Sequence, residues 1–316
     1  MSFFRMNAAA LVVGFLLDLA LGDPEGWPHP VILMGRYISF AERRLRRRGG
    51  DLRRSALLLT GSTVGLSMAL TALLLGLLGR VHRGALFAGM CVLSWQALSA
   101  RCLAREAGLV EKALSRSLVE GRRQVARIVG RDTSGLSEEE VVAATVETVA
   151  ENTTDGVISP MLYLLLGGPV LAMGFKAAST LDSMVGYLDE RYRDIGWSSA
   201  KLDDALNYLP ARLCGPLLCV SARFCGLDGA NAWRVLLRDR RNHLSPNCAW
   251  SEAAAAGALH IRLGGTHLYF GKPVVKPAIG DADRPPEPLD IGRAVRLMYG
   301  ASVFMLLLMI IGGWLL

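Results

Sequence analysis

Apolar residues fill nearly every position of two long stretches, 55–79 (SALLLTGSTVGLSMALTALLLGLLG) and 294–316. Each is close to the ~20 residues a helix needs to cross ~30 Å of hydrocarbon, so both are predicted to span a bilayer. Three further runs, 84–100, 157–175 and 205–222, are shorter or interrupted by Pro or Gly, the last by Pro210, Arg212 and Pro216. They read as broken or re-entrant helices, because irregular backbone is tolerated at membrane depth where it lines an enclosed cavity. The run 7–21 contains Asp18, and an acid within the apolar stretch suits a retained helix better than a cleaved secretion leader.

Elsewhere the period lengthens to three or four. Across 101–129, Leu109, Val110, Ala113, Leu114, Leu118, Val125, Ile128 and Val129 define one or two amphipathic helices. Ser137 followed by Glu138, Glu139 and Glu140 is a helix start, with acids where the dipole favours them. That helix carries Glu147, Glu151 and Asp155 on one slowly turning stripe, with Thr148 and Asn152 beside them. It is predicted to break at Thr154-Asp155-Gly156. Ser245 reads as the cap of a later helix with Pro246 as its first residue, and Gly264-Gly265 as its end. The proline-dense segment 281–290 reads as a linker. The fold predicted is all-α: a polytopic integral membrane protein with about five transmembrane or re-entrant helices plus amphipathic ones. It forms one membrane domain over 1–316, with an amphipathic helical region at 101–156 and a polar helix-and-loop region at 226–293.

Composition narrows the class. A chain that is 52% hydrophobic yet 20% charged is too apolar for an ordinary soluble domain. The net charge of +7 is concentrated by Arg36, Arg43, Arg44, Arg46, Arg47, Arg48, Arg53 and Arg54 in the loop 36–54. The positive-inside rule makes this loop cytoplasmic and the location the cell (inner) membrane. It anchors to anionic lipid, and no nucleic-acid partner is expected because aromatic residues do not interleave the basic core. The six cysteines form no CxxC pair, which supports neither a disulfide framework nor a zinc site. In GGTHLYFGKP, five residues separate Gly265 from Gly271 and Pro273 holds the Ser/Thr position, so a phosphate-binding loop of the Walker A type is excluded.

Charged side chains among apolar helices are functional candidates by default. A stripe of unpaired acids calls for a divalent cation or a cationic partner, and an all-oxygen donor set suits magnesium. Ser179, Asp182, Ser183 and Gly186 share a polar face suited equally to a helix neighbour or a ligand, and Asp203 shares a face with Asn207. Arg238, Arg240, Arg241, Asn242 and His243 precede a helix start, as in a phosphate pocket or simply a solvated basic loop. Trp27 and His29 sit in a proline-stiffened segment that either holds a ligand or seals the membrane interface.

The motifs GDPEGWPHPVILMGR, ETVAENTTDGVISPMLY, TLDSMVGYLDERYRDIGW, KLDDALNYLPARL and RDRRNHLSPNCAWSEAAAAGAL, followed by RLGG, occur in this order over nearly the whole chain. Together they resemble the adenosylcobinamide-phosphate synthase family, CobD/CbiB, with minor departures at Cys248 and Ser251. The resemblance implies a carbon–nitrogen ligase. Such an enzyme joins a propionate carboxylate of adenosylcobyric acid to the amine of aminopropanol phosphate, or a related aminoalcohol phosphate, consuming ATP through an acyl phosphate. On that reading Glu147, Glu151, Asp182 and His243 are catalytic, and Glu151 and Asp155 hold Mg2+ on ATP. Trp27, His29, Asn152, Lys176, Ser183, Asp203, Arg212, Arg238 and Arg241 then contact substrates and phosphates. The implied partners are the corrinoid, the aminoalcohol phosphate, membrane lipids and other membrane enzymes of cobalamin assembly. Two alternatives remain: a membrane sensor of the beta-lactamase induction type, and a transporter. The GDPEGWPHP and RNHLSPN motifs speak against the first, and the scarcity of complete spans and repeats against the second.

Overall fold

The computed structural model describes residues 2–24, 26–187, 189–269 and 272–315. In chain order the helices are α1 (Phe3–Leu21), α2 (Pro30–Arg48), α3 (Leu52–Val81), α4 (Arg83–Ala97), α5 (Ala100–Leu114), α6 (Leu118–Val125) and α7 (Glu138–Thr153). A π-helical turn, Thr154–Ile158, precedes α8 (Ser159–Val185), α9 (Trp197–Leu206), α10 (Tyr208–Phe224), α11 (Gly229–Asp239) and α12 (Cys248–Leu259). An antiparallel hairpin of β1 (Leu263–Tyr269) and β2 (Lys272–Ile279) then leads to α13 (Leu289–Leu315). Five segments are long and apolar enough to cross a membrane: Phe3–Leu21, Leu52–Val81, Arg83–Leu114, Glu138–Val185 and Leu289–Leu315. The protein is a helical, polytopic membrane protein, and the hairpin holds the only strands among the described residues.

The chain divides into two compact units. The first comprises Met1–Ser99, Ser159–Asn207 and Leu306–Leu316. Within it α3 leaves Leu57, Leu58, Leu70 and Leu73 exposed, which suits a helix whose neighbour is hydrocarbon. Its inner side buries Leu59 against Ile38, Leu181, Val185 and Ile195. Thr63, Ser67 and Thr71 return their hydroxyl protons to their own helix, to the carbonyls of Leu59 (2.7 Å), Thr63 (2.8 Å) and Ser67 (2.8 Å). Close approach of α1 to α4 needs Gly14, since a Cβ there would lie 2.6 Å from Ser94 Cβ.

α8 bends where Gly168 adopts φ 62°, ψ −161°, immediately before Pro169. Proline has no N–H to offer Leu165, four residues back. The buried Asn7 of α1 supplies the missing donor, with Nδ2 3.0 Å from the Leu165 carbonyl.

The second unit comprises Ala100–Ile158 and Tyr208–Met305. Its centre is α12, whose alanine run packs against α7, α10 and α11. The amphipathic stretch 101–129 resolves into α5 and α6, separated at Ser117, whose hydroxyl caps Glu120. Ser137 and Glu140 complete a capping box at the start of α7.

Several sequence expectations are corrected. The helix does not break at Thr154-Asp155-Gly156; it widens into a π-helical turn, which keeps the backbone bonded where Asp-Gly favoured a turn. Pro210 does not interrupt α10 because it lies in the first turn, where a missing N–H costs nothing; the break falls at Asn207. Most of the basic segment 36–54 is the end of α2, with the turn confined to Gly49, Gly50 and Asp51. Regular helix after the basic cluster starts at Cys248, since Ser245 accepts the Asn247 N–H in a turn before it. That helix ends at His260, left-handed at φ 56° and held by Asp228 (3.1 Å) and Asp283 (2.9 Å). Gly264 and Gly265 belong to β1 instead.

Asn7→Ala should strip the Leu165 carbonyl of its donor, costing about 1–3 kcal/mol. Thermal unfolding in detergent should register a lower midpoint; a midpoint equal to that of the wild type would show that the kink does not depend on Asn7.

Candidate active site

The acid stripe of α7 is not a row of unpaired charges. Glu147 is buried in an ion pair with Arg131, itself buried, and its other oxygen accepts the Gly264 N–H at 2.8 Å. Gly264 has φ +83°, and a side chain there would collide with the Pro277 carbonyl, so only glycine presents that N–H to the acid. Lys276 of β2 adds a second positive charge acting on Glu147. One turn on, the partly exposed Glu151 accepts the Cys248 thiol proton at 3.4 Å. Asn152 spends its amide on the Thr148 carbonyl at 2.9 Å. Asp155 stands partly exposed in the π-helical turn, and its charge reaches Cys214 of α10.

A further acid joins this cluster from α12. Glu252 is 2% exposed, and its Oε1 has no hydrogen-bond partner among the described residues. Facing it at 4.0 Å is His243 Nε2, likewise buried and unpartnered. His243 Nδ1 accepts the Ser245 N–H at 3.0 Å, which puts the ring proton on Nε2. Burial raises the Glu252 carboxyl well above the usual range, reinforced by the charges of Glu147 and Glu151 and opposed by Lys276 and Arg131. Burial and then Lys276 lower His243, while Glu151 and Glu147 pull the other way. Both groups therefore favour their neutral forms. Glu252, Arg131 and Lys276 escaped the sequence reading. The available signal was an acid inside SEAAAAGAL, a helix otherwise too apolar to hold one.

The arginines separate by surroundings. Arg212 lies over the Tyr208 ring (3.3 Å) and near Trp250 (5.0 Å), with Nη1 3.4 Å from Asn247 Oδ1. Arg240 approaches the same Trp250 at 5.7 Å. Arg238 is held by both oxygens of Asp239 (2.8 Å each) and by Asp281 (2.8 Å), which Arg234 also binds. Its fork is taken up in tying α11 to the segment after β2, a structural use that charge counting could not reveal. Arg241 is exposed.

The first unit carries its own polar set. His29 caps α2 by accepting the Val31 N–H at 3.3 Å, and its buried Nε2 lies 3.7 Å from Asp23 Oδ1. Burial lowers the imidazole, with Asp23 opposing and the positive charge of Lys176 adding to the shift. Trp27 is 57% exposed and meets Trp95 edge-on at 6.0 Å. Asp203 accepts from Asn207 Nδ2 at 3.0 Å, and Asn207 Oδ1 accepts the Ser159 hydroxyl at 2.6 Å. Asp204 turns instead to Lys201, 3.7 Å away. Ser183 donates to the Ser179 carbonyl of its own helix at 2.9 Å. Gly186 leaves room for Asp182, whose carboxylate a Cβ would strike.

Glu147 has no oxygen left for a resident magnesium ion: both are engaged, Arg131 and Lys276 offset its charge, and no group of three or more metal-type ligands converges among the described residues. The stripe read as acids without cations, and for Glu147 the cations come from distant positions in the chain.

Fold and site together define a polytopic helical membrane protein with an enclosed cluster of acids, an imidazole and cations. Comparison with known proteins is specific. The family described as CobD/Cbib protein matches residues 11–298. Cobalamin biosynthesis protein CobD of Geobacter metallireducens is 48% identical over 301 residues, covering 95% of each chain. Its Listeria monocytogenes namesake is 47% identical over 291 residues, 91% of this chain and 92% of the relative. Cobalamin biosynthesis protein CbiB of Salmonella typhimurium is 48% identical over 312 residues, 96% and 97% respectively. No solved structure matches. The chain belongs to the CobD/CbiB family, and its role lies in cobalamin biosynthesis.

Removing one member of a buried pair strands the other charge, so Arg131→Met should lower stability by about 3–5 kcal/mol. Adding Glu147→Leu should recover part of the loss. Unfolding midpoints of the single and double variants check this, and a single variant as stable as the wild type would show that the pair carries no such weight.

Proposed function

We propose that the protein is an ATP-dependent carbon–nitrogen ligase. It joins aminopropanol phosphate, or a related aminoalcohol phosphate, to the propionate carboxylate of adenosylcobyric acid and gives adenosylcobinamide phosphate. A carboxylate is a poor acyl donor, so it is first phosphorylated, and the amine then displaces phosphate from the acyl phosphate. Cations are needed for the phosphoryl and tetrahedral oxygens, and an acceptor for the ammonium proton. The observation supporting this reading is the enclosed cluster in the second unit, where Lys276, Arg131, the acids and His243 lie within one another's electrostatic reach. ATP enters as its magnesium complex, a cosubstrate. Arg212, ringed by Tyr208 and Trp250, is the arginine best presented to a phosphate. Glu151 and Asp155 are the stripe acids that the fold leaves partly exposed. Of the residues proposed for substrate contact, Asp182, Lys176, Asp203, Ser183, His29 and Trp27 belong to the first unit, and Asn152 and Arg241 to the second.

Membranes containing the protein, given adenosylcobyric acid, magnesium-ATP and aminoalcohol phosphate, should form the new amide. Glu151→Ala and Asp155→Ala should each abolish it without reducing the amount of protein in the membrane. Turnover retained in both variants would remove the stripe from the active site, and wild-type membranes that form no amide would remove the ligase reading.

The basic end of α2 is proposed to face the cytoplasm at the inner membrane, as arginine-rich segments do. In a background lacking the six native cysteines, Arg48→Cys, at an exposed position, should react with an impermeant thiol reagent from the cytoplasmic side only. Labelling from the opposite side would reverse the topology.

A further inference from the structure

Glu252 differs from the other buried and half-buried glutamates of the cluster, and His243 faces it. Glu147 has Arg131 and the Gly264 N–H, and Glu151 has the Cys248 thiol. The two atoms that face each other across 4.0 Å, Glu252 Oε1 and His243 Nε2, have no partner among the described residues. Two buried, opposed and unsatisfied polar atoms cost free energy that an apolar pair would not. The distance is too long for a direct hydrogen bond and close enough for one polar atom of a ligand to reach both.

The chemistry of the gap is asymmetric. His243 Nδ1 is occupied by the Ser245 N–H, so Nε2 points a proton into the gap, whereas Glu252 offers an acceptor. A primary ammonium is the ligand head that matches the acceptor, since its N–H donates to a carboxylate, and only the lone pair exposed by deprotonation can accept from the His243 N–H. His243 is about one-tenth exposed and is the outer member of the pair. The partly exposed Glu151 lies in the same cluster, with a charge that draws a cation toward it.

We propose that the gap between His243 and Glu252 is the amine subsite of the ligase, in which Glu252 takes the ammonium proton of the aminoalcohol phosphate and His243 positions the nitrogen. This rests on the ligase reading above. The incoming ammonium, a positive charge beside the buried carboxyl, draws Glu252 into its ionised form; Oε1 then accepts one proton from R–NH3+, and the freed nitrogen lone pair turns from the His243 N–H to attack the acyl carbon. A C–N bond forms, the C–O bond to phosphate breaks, and the second nitrogen proton lost on amide formation leaves with inorganic phosphate. The groups that set the affinity of Glu252 for a proton are Glu147 and Glu151 of α7, Lys276 of β2, Arg131 and His243 itself. Burial and the two neighbouring carboxylates raise that affinity, in the direction a base acting on an ammonium requires.

Glu252→Gln is the informative variant, because glutamine copies the neutral acid in shape and should leave the fold intact. Hydroxylamine, unprotonated at neutral pH, needs no base to capture an acyl phosphate. With adenosylcobyric acid and magnesium-ATP, Glu252→Gln should therefore still form the corrinoid hydroxamate, while ligation of aminoalcohol phosphate falls about 10²-fold or more. Its residual ligation rate should climb about tenfold per pH unit, following the free amine. His243→Ala should raise KM for the aminoalcohol phosphate, with His243→Gln restoring part of the affinity. Glu252→Asp, with the carboxylate retracted, should ligate better than Glu252→Gln. Ligation by Glu252→Gln at the wild-type rate would overturn the proposal, and so would equal loss of hydroxamate and amide, which marks a structural residue. Wild-type protein that makes neither product would remove the ligase reading and this inference with it.

Discussion

A polar group buried among apolar helices in a membrane protein must find its partner within the chain, because hydrocarbon offers none. Much of this structure follows from that constraint. The carbonyl freed by Pro169 is met by Asn7, and the carbonyl of Gly22 by Trp95 Nε1 at 2.9 Å. Asp290, wholly buried at the start of α13, is satisfied by Arg284, Arg293 and the Glu287 N–H. Glu147 is satisfied by Arg131 and Gly264 in the same way. Each contact joins segments far apart in the chain or closes a turn that would otherwise leave a donor or acceptor stranded.

Against that background the few unsatisfied groups carry information. His243 and Glu252 lie within a cluster whose other acids are paired, so their mutual vacancy is not a general looseness of packing. Low dielectric makes such unsatisfied atoms expensive, and the same desolvation that penalises charge raises the proton affinity of a carboxyl. The proposed ligation, which must keep water from an acyl phosphate, calls for an enclosed site of this kind.

Membership of the CobD/CbiB family and the placement of polar groups bear on each other. GDPEGWPHPVILMGR delivers His29 as the cap of α2 with Asp23 beside it, and KLDDALNYLPARL delivers the Asp203–Asn207 contact and the start of α10. RDRRNHLSPNCAWSEAAAAGAL supplies both Arg238, absorbed by Asp239 and Asp281, and the His243–Glu252 pair. Residues of one motif thus divide between contacts that hold the fold and a pair left without partners.

Local pattern was enough to read the membrane class, the long apolar helices, the capping box at Ser137 and the amphipathic pair α5 and α6, because each depends on residues three or four positions apart or on a continuous apolar run. The Asp203–Asn207 pairing was legible for the same reason. The left-handed end of α12 at His260 was not, since Asp228 and Asp283, which hold it, come from other segments; the π-helical turn at Asp155 and the β1–β2 hairpin were not read either. The same holds for charge. Sequence alone displayed the acids on one stripe of α7, but Arg131, Lys276 and Glu252 come from a loop, a strand and another helix, and only folding brought them together. Tertiary structure therefore decided which acids are neutralised by the chain's own cations and which pair stays open, because electrostatic interactions depend on distance in space and on burial, neither of which is written in residue order.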